Sequence, residues 1–287
     1  MRTCVRFGLA ALVCTTLASP AAFAQDDEEI AEGVFDKESW PLQTIHRPLT
    51  LAGGMLEIRG DTLTIGIGSG EVFDFGQPII LAPDVFYGVN GQLTVGVTHS
   101  NRFGAFAPAG FCVSGEDGGC PKGYNAIGAE AQYALTRGGN VGLAVNGGLS
   151  SPRFSPDFAL GLTAGATIRV KGGSIAVVLD PSLYLGAIGR DDFPGTDGPS
   201  DFVFLPVDIQ YQLNTQTMVY LTSGVNGPFD GFGDAYRIPV GIGGTFAINN
   251  RADIGGEINI ANLGGKTQDP IGRFDERYFI ARLAIRI

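Results

Sequence analysis

The chain has 287 residues, 44 of them glycine; 44% are apolar, only 17% are charged, and the formal net charge is -10. So few charges beside so many apolar residues exclude a disordered chain, and the glycines keep no collagen period. A pI near 4.6 excludes the basic surface that phosphate backbones require, so nucleic acid is not expected as a partner.

Residues 1–24 read as a secretory signal peptide. Arg2 and Arg6 form its basic start, Phe7 to Leu17 is mostly apolar, and Ala22-Phe23-Ala24 is a small-residue cleavage site. Past that point no apolar run reaches the ~20 residues of a spanning helix. Cys4 and Cys14 leave with the signal. Ala11-Leu12-Val13 before Cys14 is a poor lipid-attachment context, so no lipid anchor is expected. Cys112 and Cys120 remain, and in an exported chain they are expected to form a disulfide. Two lone cysteines without nearby histidines do not suggest a metal.

Residues 25–53 form an acidic leader. Asp26, Asp27, Glu28, Glu29, Glu32, Asp36 and Glu38 carry little apolar pattern, so a solvated, mobile tail is expected. A plug folding inward is the alternative. Trp40-Pro41 and Arg47-Pro48 are breakers that end the leader.

From residue 54 to 287 the apolar period is two. In the last segment Phe279, Ala281, Leu283, Ile285 and Ile287 alternate with Tyr278, Ile280, Arg282, Ala284 and Arg286. Val203, Leu205, Val207, Ile209, Tyr211 and Leu213 do the same against Phe202, Phe204, Pro206, Asp208, Gln210 and Gln212. Opposite parities point to opposite faces of a strand. Twelve such segments begin near Gly54, Pro78, Gln92, Tyr124, Asn140, Asp157, Gly173, Asp201, Thr217, Asp234, Ala252 and Asp275. Short turns such as Val89-Asn90-Gly91 and Lys171-Gly172-Gly173 alternate with long connections, the longest over 100–123. Up-and-down order then puts all short turns at one end. A Cys112–Cys120 bridge would stiffen the tip of the longest connection, where it could constrict a mouth.

The bulky parity is apolar and continuous, while the other mixes Gly, Ala, acids and arginines. A soluble sheet hides its greasy face; this pattern suits an inside-out barrel with lipid outside and a polar lumen. Closure would pair every backbone group in hydrocarbon. Tyr87, Tyr133, Tyr211 and Phe246 lie on the greasy parity just before short turns, where an interfacial aromatic girdle would sit. The fold class expected is all-β: a closed antiparallel up-and-down transmembrane barrel of about twelve strands.

Over residues 54–287 this pattern, with the export signal and the alternating last strand, resembles the outer-membrane β-barrel proteins of Gram-negative bacteria, in porin-like form. That class commonly closes its last strand with phenylalanine; here the end is Ile287, with Phe279 earlier on the same face. The resemblance implies a periplasmic leader, short periplasmic turns, long extracellular loops, a lipid surround, and a last strand read by the barrel-assembly machinery.

The inward parity carries Asp84, Glu130, Asp180, Asp208, Asp253, Glu257 and Glu276, with Arg169, Arg237, Arg282 and Arg286. Glu57 and Arg59 join them beyond a slip in the alternation near Gly60-Asp61, which suggests a bulge. These side chains either line a narrow aqueous pore for small solutes or ions, or pair into a lattice that fills the interior. The pore is the preferred reading, with a closed structural or adhesive barrel the second. Prolines beside Asp84, Asp180 and Asp208 suggest a mid-barrel ring of carboxylates. Acids in the loops (Glu116, Asp117, Asp191, Asp192, Asp197, Asp230, Asp269) match no calcium-loop spacing and read as solvated. Some twelve-stranded barrels of this class are lipases with a serine two residues after a histidine. Here Ser100 directly follows His99, so the two would point oppositely on a strand. No enzyme, cofactor or metal is expected.

Overall fold

The computed structural model describes residues 35–67, 79–99, 110–114, 124–136, 138–153, 158–189, 201–266 and 276–287. The signal peptide, the first leader acids, Ser100, Cys120 and most of the loop acids lie outside the described residues.

Among the described residues twelve antiparallel strands form one sheet. In chain order they are β1 (Leu56–Gly66), β2 (Ile79–Leu81 and Pro83–Gly88), β3 (Leu93–Thr98, resumed at Gly110–Ser114), and β4 (Tyr124–Asn125 and Ile127–Ala134). Next come β5 (Val141–Arg153), β6 (Ala159–Gly172), β7 (Ile175–Leu179 and Ser182–Ile188) and β8 (Phe202–Gln212). The last four are β9 (Thr217–Pro228), β10 (Val240–Asn249), β11 (Ala252–Ile260) and β12 (Arg277–Arg286). Each strand pairs with its sequence neighbours. β12 pairs back onto β1, from Glu57↔Arg286 to Gly66↔Tyr278, so the sheet is closed.

Local chemistry explains the turns. Asn90 Oδ1 accepts the amides of Gln92 and Leu93, and Asn214 Oδ1 accepts those of Gln216 and Thr217. Such Asx turns reverse the chain in a few residues. Gly91 and Gly173 take φ of 75° and 55°, which a Cβ would disfavour. The bulge falls where the alternation slips: the register between β1 and β12 shifts between Gly60 and Leu63.

Eleven strands start within two residues of their expected positions. The tenth starts at Val240 rather than near Asp234, because Pro239 has no ladder donor; Arg237 makes only an isolated bridge to Asn226. A larger correction concerns the connection expected over 100–123. Gly110–Ser114 is not loop but wall, paired to Ile79–Leu81 on one side and to Tyr124–Asn125 on the other. Phe111 and Val113 flank half-buried Cys112 and are both exposed, so this short run keeps the same alternation.

The burial pattern is inverted relative to a soluble barrel. Ile242, Ile258, Leu221 and Phe279 are 65%, 52%, 44% and 40% exposed. They pair in one row around the wall, Leu221↔Ile242↔Ile258↔Phe279. On the inner parity Glu57, Asp84, Glu257 and Arg286 are 2%, 3%, 3% and 6% exposed. A greasy outside around buried charges is stable only with lipid against it. No helix among the described residues is long and apolar enough to cross a membrane; the crossing is done by strands.

Candidate functional site

The lumen has two unlike walls. On β1, β11 and β12 the charges pair into a chain. Glu57 Oε1 lies 2.6 Å from Arg59 Nη2, and Glu57 Oε2 lies 2.6 Å from Arg286 Nε. Arg286 Nη2 in turn lies 2.6 Å from Asp253 Oδ2. Glu57 and Arg286 are register partners, so this ion pair sits on the seam that closes the barrel. Deeper, Arg282 Nη2 meets Glu257 Oε2 at 2.7 Å, the Tyr220 hydroxyl donates to the same oxygen at 3.1 Å, and Asn259 Nδ2 donates to Oε1 at 2.9 Å. Toward the loop end, Arg237 Nη1 donates to Glu276 Oε2 at 2.9 Å. Buried charges need such partners, since hydrocarbon and protein offer little else to solvate them.

The facing wall is made of small and acidic residues. A cavity of about 210 Å³ is lined by Asn146 of β5, Val178 and Ser182 of β7, Pro206 and Asp208 of β8, Thr222 of β9, and Asp180 at the break in β7. It has room for several waters. Thr167 Oγ1 donates to Asp180 Oδ1 at 2.8 Å, and Gln132 Nε2 donates to Thr167 Oγ1 at 3.2 Å. The expected ring of three carboxylates is therefore incomplete: Asp180 and Asp208 share this cavity. Asp84 sits on β2, where its carboxylate accepts the His99 amide at 2.6 Å. Glu130 is half-buried on the inward face of β4. Arg169 of β6 turns its Nη1 to the Arg47 carbonyl at 2.6 Å.

That last contact belongs to a feature the sequence pattern hides. The described part of the leader, residues 35–53, is not a free tail but is folded into the turn-side mouth. Arg47 is buried and bidentate on Asp253, at 2.6 and 2.9 Å. Ile45, in the short 3-10 turn Thr44–His46, is buried among Ala176, Met218 and Tyr220. Trp40, Leu51, Ala52 and Met55 pack with Phe86 of β2. A signal was present: behind the acids, Trp40, Leu42, Ile45, Leu49 and Leu51 form an apolar run with no strand period.

Outside, Tyr87, Tyr133, Tyr211 and Phe246 are all exposed near the short turns. His99 has its Nδ1 against the Pro83 carbonyl and its ring between Phe111 and Tyr124, at centroid distances of 6.0 and 5.7 Å. Among the described residues no cluster of His, Cys, Asp and Glu could hold a metal.

These features define a closed twelve-stranded β-barrel with an apolar outside and a charged, partly hollow lumen. No protein-family profile and no curated protein sequence matches the chain. Solved outer-membrane barrels align with it at low identity. The NanC porin aligns at TM-score 0.49 and 10% identity, over 80% of this chain and 98% of that one. An outer membrane channel from Pseudomonas putida F1 aligns at 0.48 and 13%, over 83% and 95%. The KdgM porin aligns at 0.45 and 9%, over 81% and 97%. Likeness at this level transfers no residue's role.

Proposed function

We propose that this chain is a bacterial outer-membrane barrel forming a narrow, porin-like passive pore for small solutes or ions. The carrying observation is the hollow beside Asp180 and Asp208, whose lining holds no basic side chain. Solute would pass by diffusion, with no cofactor and no chemistry. In this reading residues 1–24 are the export signal, the short turns face the periplasm, and Tyr87, Tyr133, Tyr211 and Phe246 form a girdle at the lipid interface. The last strand serves the assembly machinery, and Cys112 bridges Cys120. Asp84, Glu130, Asp180, Asp208, Asp253, Glu257, Glu276, Arg169, Arg237, Arg282 and Arg286 line the path.

Inward acids outnumber inward arginines, so the pore is expected to prefer cations. Reversal potentials across planar bilayers under a salt gradient measure this. Asp180→Asn with Asp208→Asn should lower the potassium-to-chloride ratio roughly two- to threefold, the effect of about one kT of site potential. Anion preference in the parent protein would contradict the reading.

A closed structural or adhesive barrel is the second reading, favoured by the ion-pair chain and by the leader across one mouth. Discrete conductance steps from folded protein support the pore; silence supports the closed barrel. Lipid hydrolysis is a distant third, because the His99 Nδ1 already faces a backbone carbonyl. Ester cleavage abolished by His99→Ala would restore it.

A further inference from the structure

Building on the pore reading, we propose that residues 35–53 are a gate: a lid that shuts the turn-side mouth and can leave it without disturbing the wall. Trp40 and Leu51 lie in one cluster against Phe86 of β2, so the chain between them goes out and returns. Its tip, Ile45, reaches Ala176 of β7 and Met218 of β9, and its amide donates to Gln212 Oε1 of β8 at 3.4 Å. In a closed wall of twelve strands, β2 and β8 are half a circuit apart. The segment therefore spans the mouth from side to side.

Up to residue 53 the attachments are side-chain latches, not sheet; backbone pairing to the wall begins at Gly54 and Met55, both on Gly88 of β2. Leu51 donates its amide to Thr94 Oγ1 at 2.8 Å, and Thr50 Oγ1 donates to the Gly91 carbonyl at 2.8 Å. Arg47 holds Asp253 and accepts Arg169 Nη1 on its carbonyl. No residue of 35–50 takes part in the described strand pairings, and the wall closes on itself through β1 and β12. Departure of the lid thus bares no strand edge. It also strands no charge: Asp253 keeps Arg286 at 2.6 Å when Arg47 withdraws. Its departure also uncovers Phe86, Ala176 and Met218 of the wall, an apolar cost that holds the lid shut at rest. A lid paired with the wall only where it runs into β1, and whose charged latch Asp253 keeps a partner in both positions, has the makings of a two-position element.

The test uses the full mature chain refolded into lipid, with heat-modifiable gel migration confirming a folded barrel. Trp40 is the sole tryptophan, so its emission and its quenching by iodide report lid position directly. Arg47→Glu combined with Ile45→Asp sets a carboxylate against Asp253 and another into the apolar tip pocket. Expected are a red-shifted, more quenchable Trp40 and a rise of at least about tenfold in mean conductance over the parent, within the range typical of coupled sites. A variant lacking residues 35–53 should conduct as the double variant does. If the folded deletion variant conducts no more than a conducting parent, the gate is wrong while the pore reading stands. If Trp40 is released and every form stays silent, the pore reading fails and the gate with it. An unshifted Trp40 in the folded double variant would show that the latches named here do not hold the lid.

Discussion

Arg286→Met is expected to destabilise the barrel by about 3 kcal/mol, near the lower end for breaking a buried ion pair. Arg286 is the middle of the ion-pair chain: its Nε faces Glu57 and its Nη2 faces Asp253, both at 2.6 Å. Losing it leaves two buried carboxylates, Glu57 of β1 and Asp253 of β11, facing each other across β12 beside the closing seam. Arg59 and Arg47 remain to shield them, which keeps the loss from being larger. Arg286→Lys retains charge but cannot reach both acids as a planar fork does, so it should fall between parent and Arg286→Met. Adding Glu57→Gln to Arg286→Met should recover part of the loss, because the two residues are coupled. Urea unfolding in lipid vesicles measures all three. A change below about 0.5 kcal/mol for Arg286→Met, the scale of a surface substitution, would mean that the seam does not depend on this pair.

Ile242→Arg is expected to cost about 2–4 kcal/mol, the range for a basic residue on the lipid face near mid-bilayer. The residue is 65% exposed, so on a water-soluble barrel the same change would be nearly neutral. Its row, Leu221↔Ile242↔Ile258↔Phe279, crosses four neighbouring strands of the greasy face, away from the short turns. Moving the arginine to Ile248, beside the turn at the end of β10, should reduce the cost to about 0–1 kcal/mol, because depth decides it. Equal small effects at both positions would contradict a lipid-facing exterior.

The wall was legible because a barrel repeats one simple rule. A period of two, reset by Asn- and Gly-bearing turns, locates the strands and their faces without knowledge of contacts. Even the bulge at Gly60–Leu63 left a trace in the alternation. The rule fails where side chains act without a period. Arg47, Ile45 and Trp40 dock individually into pockets that separate strands create, and nothing local in the leader says that Asp253 or Met218 will be there. The acids before them suggested solvation instead. Gly110–Ser114 was missed for another reason: five residues are too few to show alternation among the glycines and prolines around them. Within the lumen, parity indicated which charges face inward but not how they pair. Asp180 and Asp208 share a hollow while Asp84 binds the His99 amide, a division set by strand order and register rather than by residue type.

Two tryptophans placed one at a time in a Trp40→Phe background give the most direct test of the inverted burial. Ile242→Trp puts the indole on the outer row, and Thr222→Trp puts it at the lumen cavity. In vesicles of lipid brominated near mid-chain, the first should be strongly quenched and the second nearly untouched. Equal quenching of the two, or quenching of the lumen position alone, would contradict the account at its base.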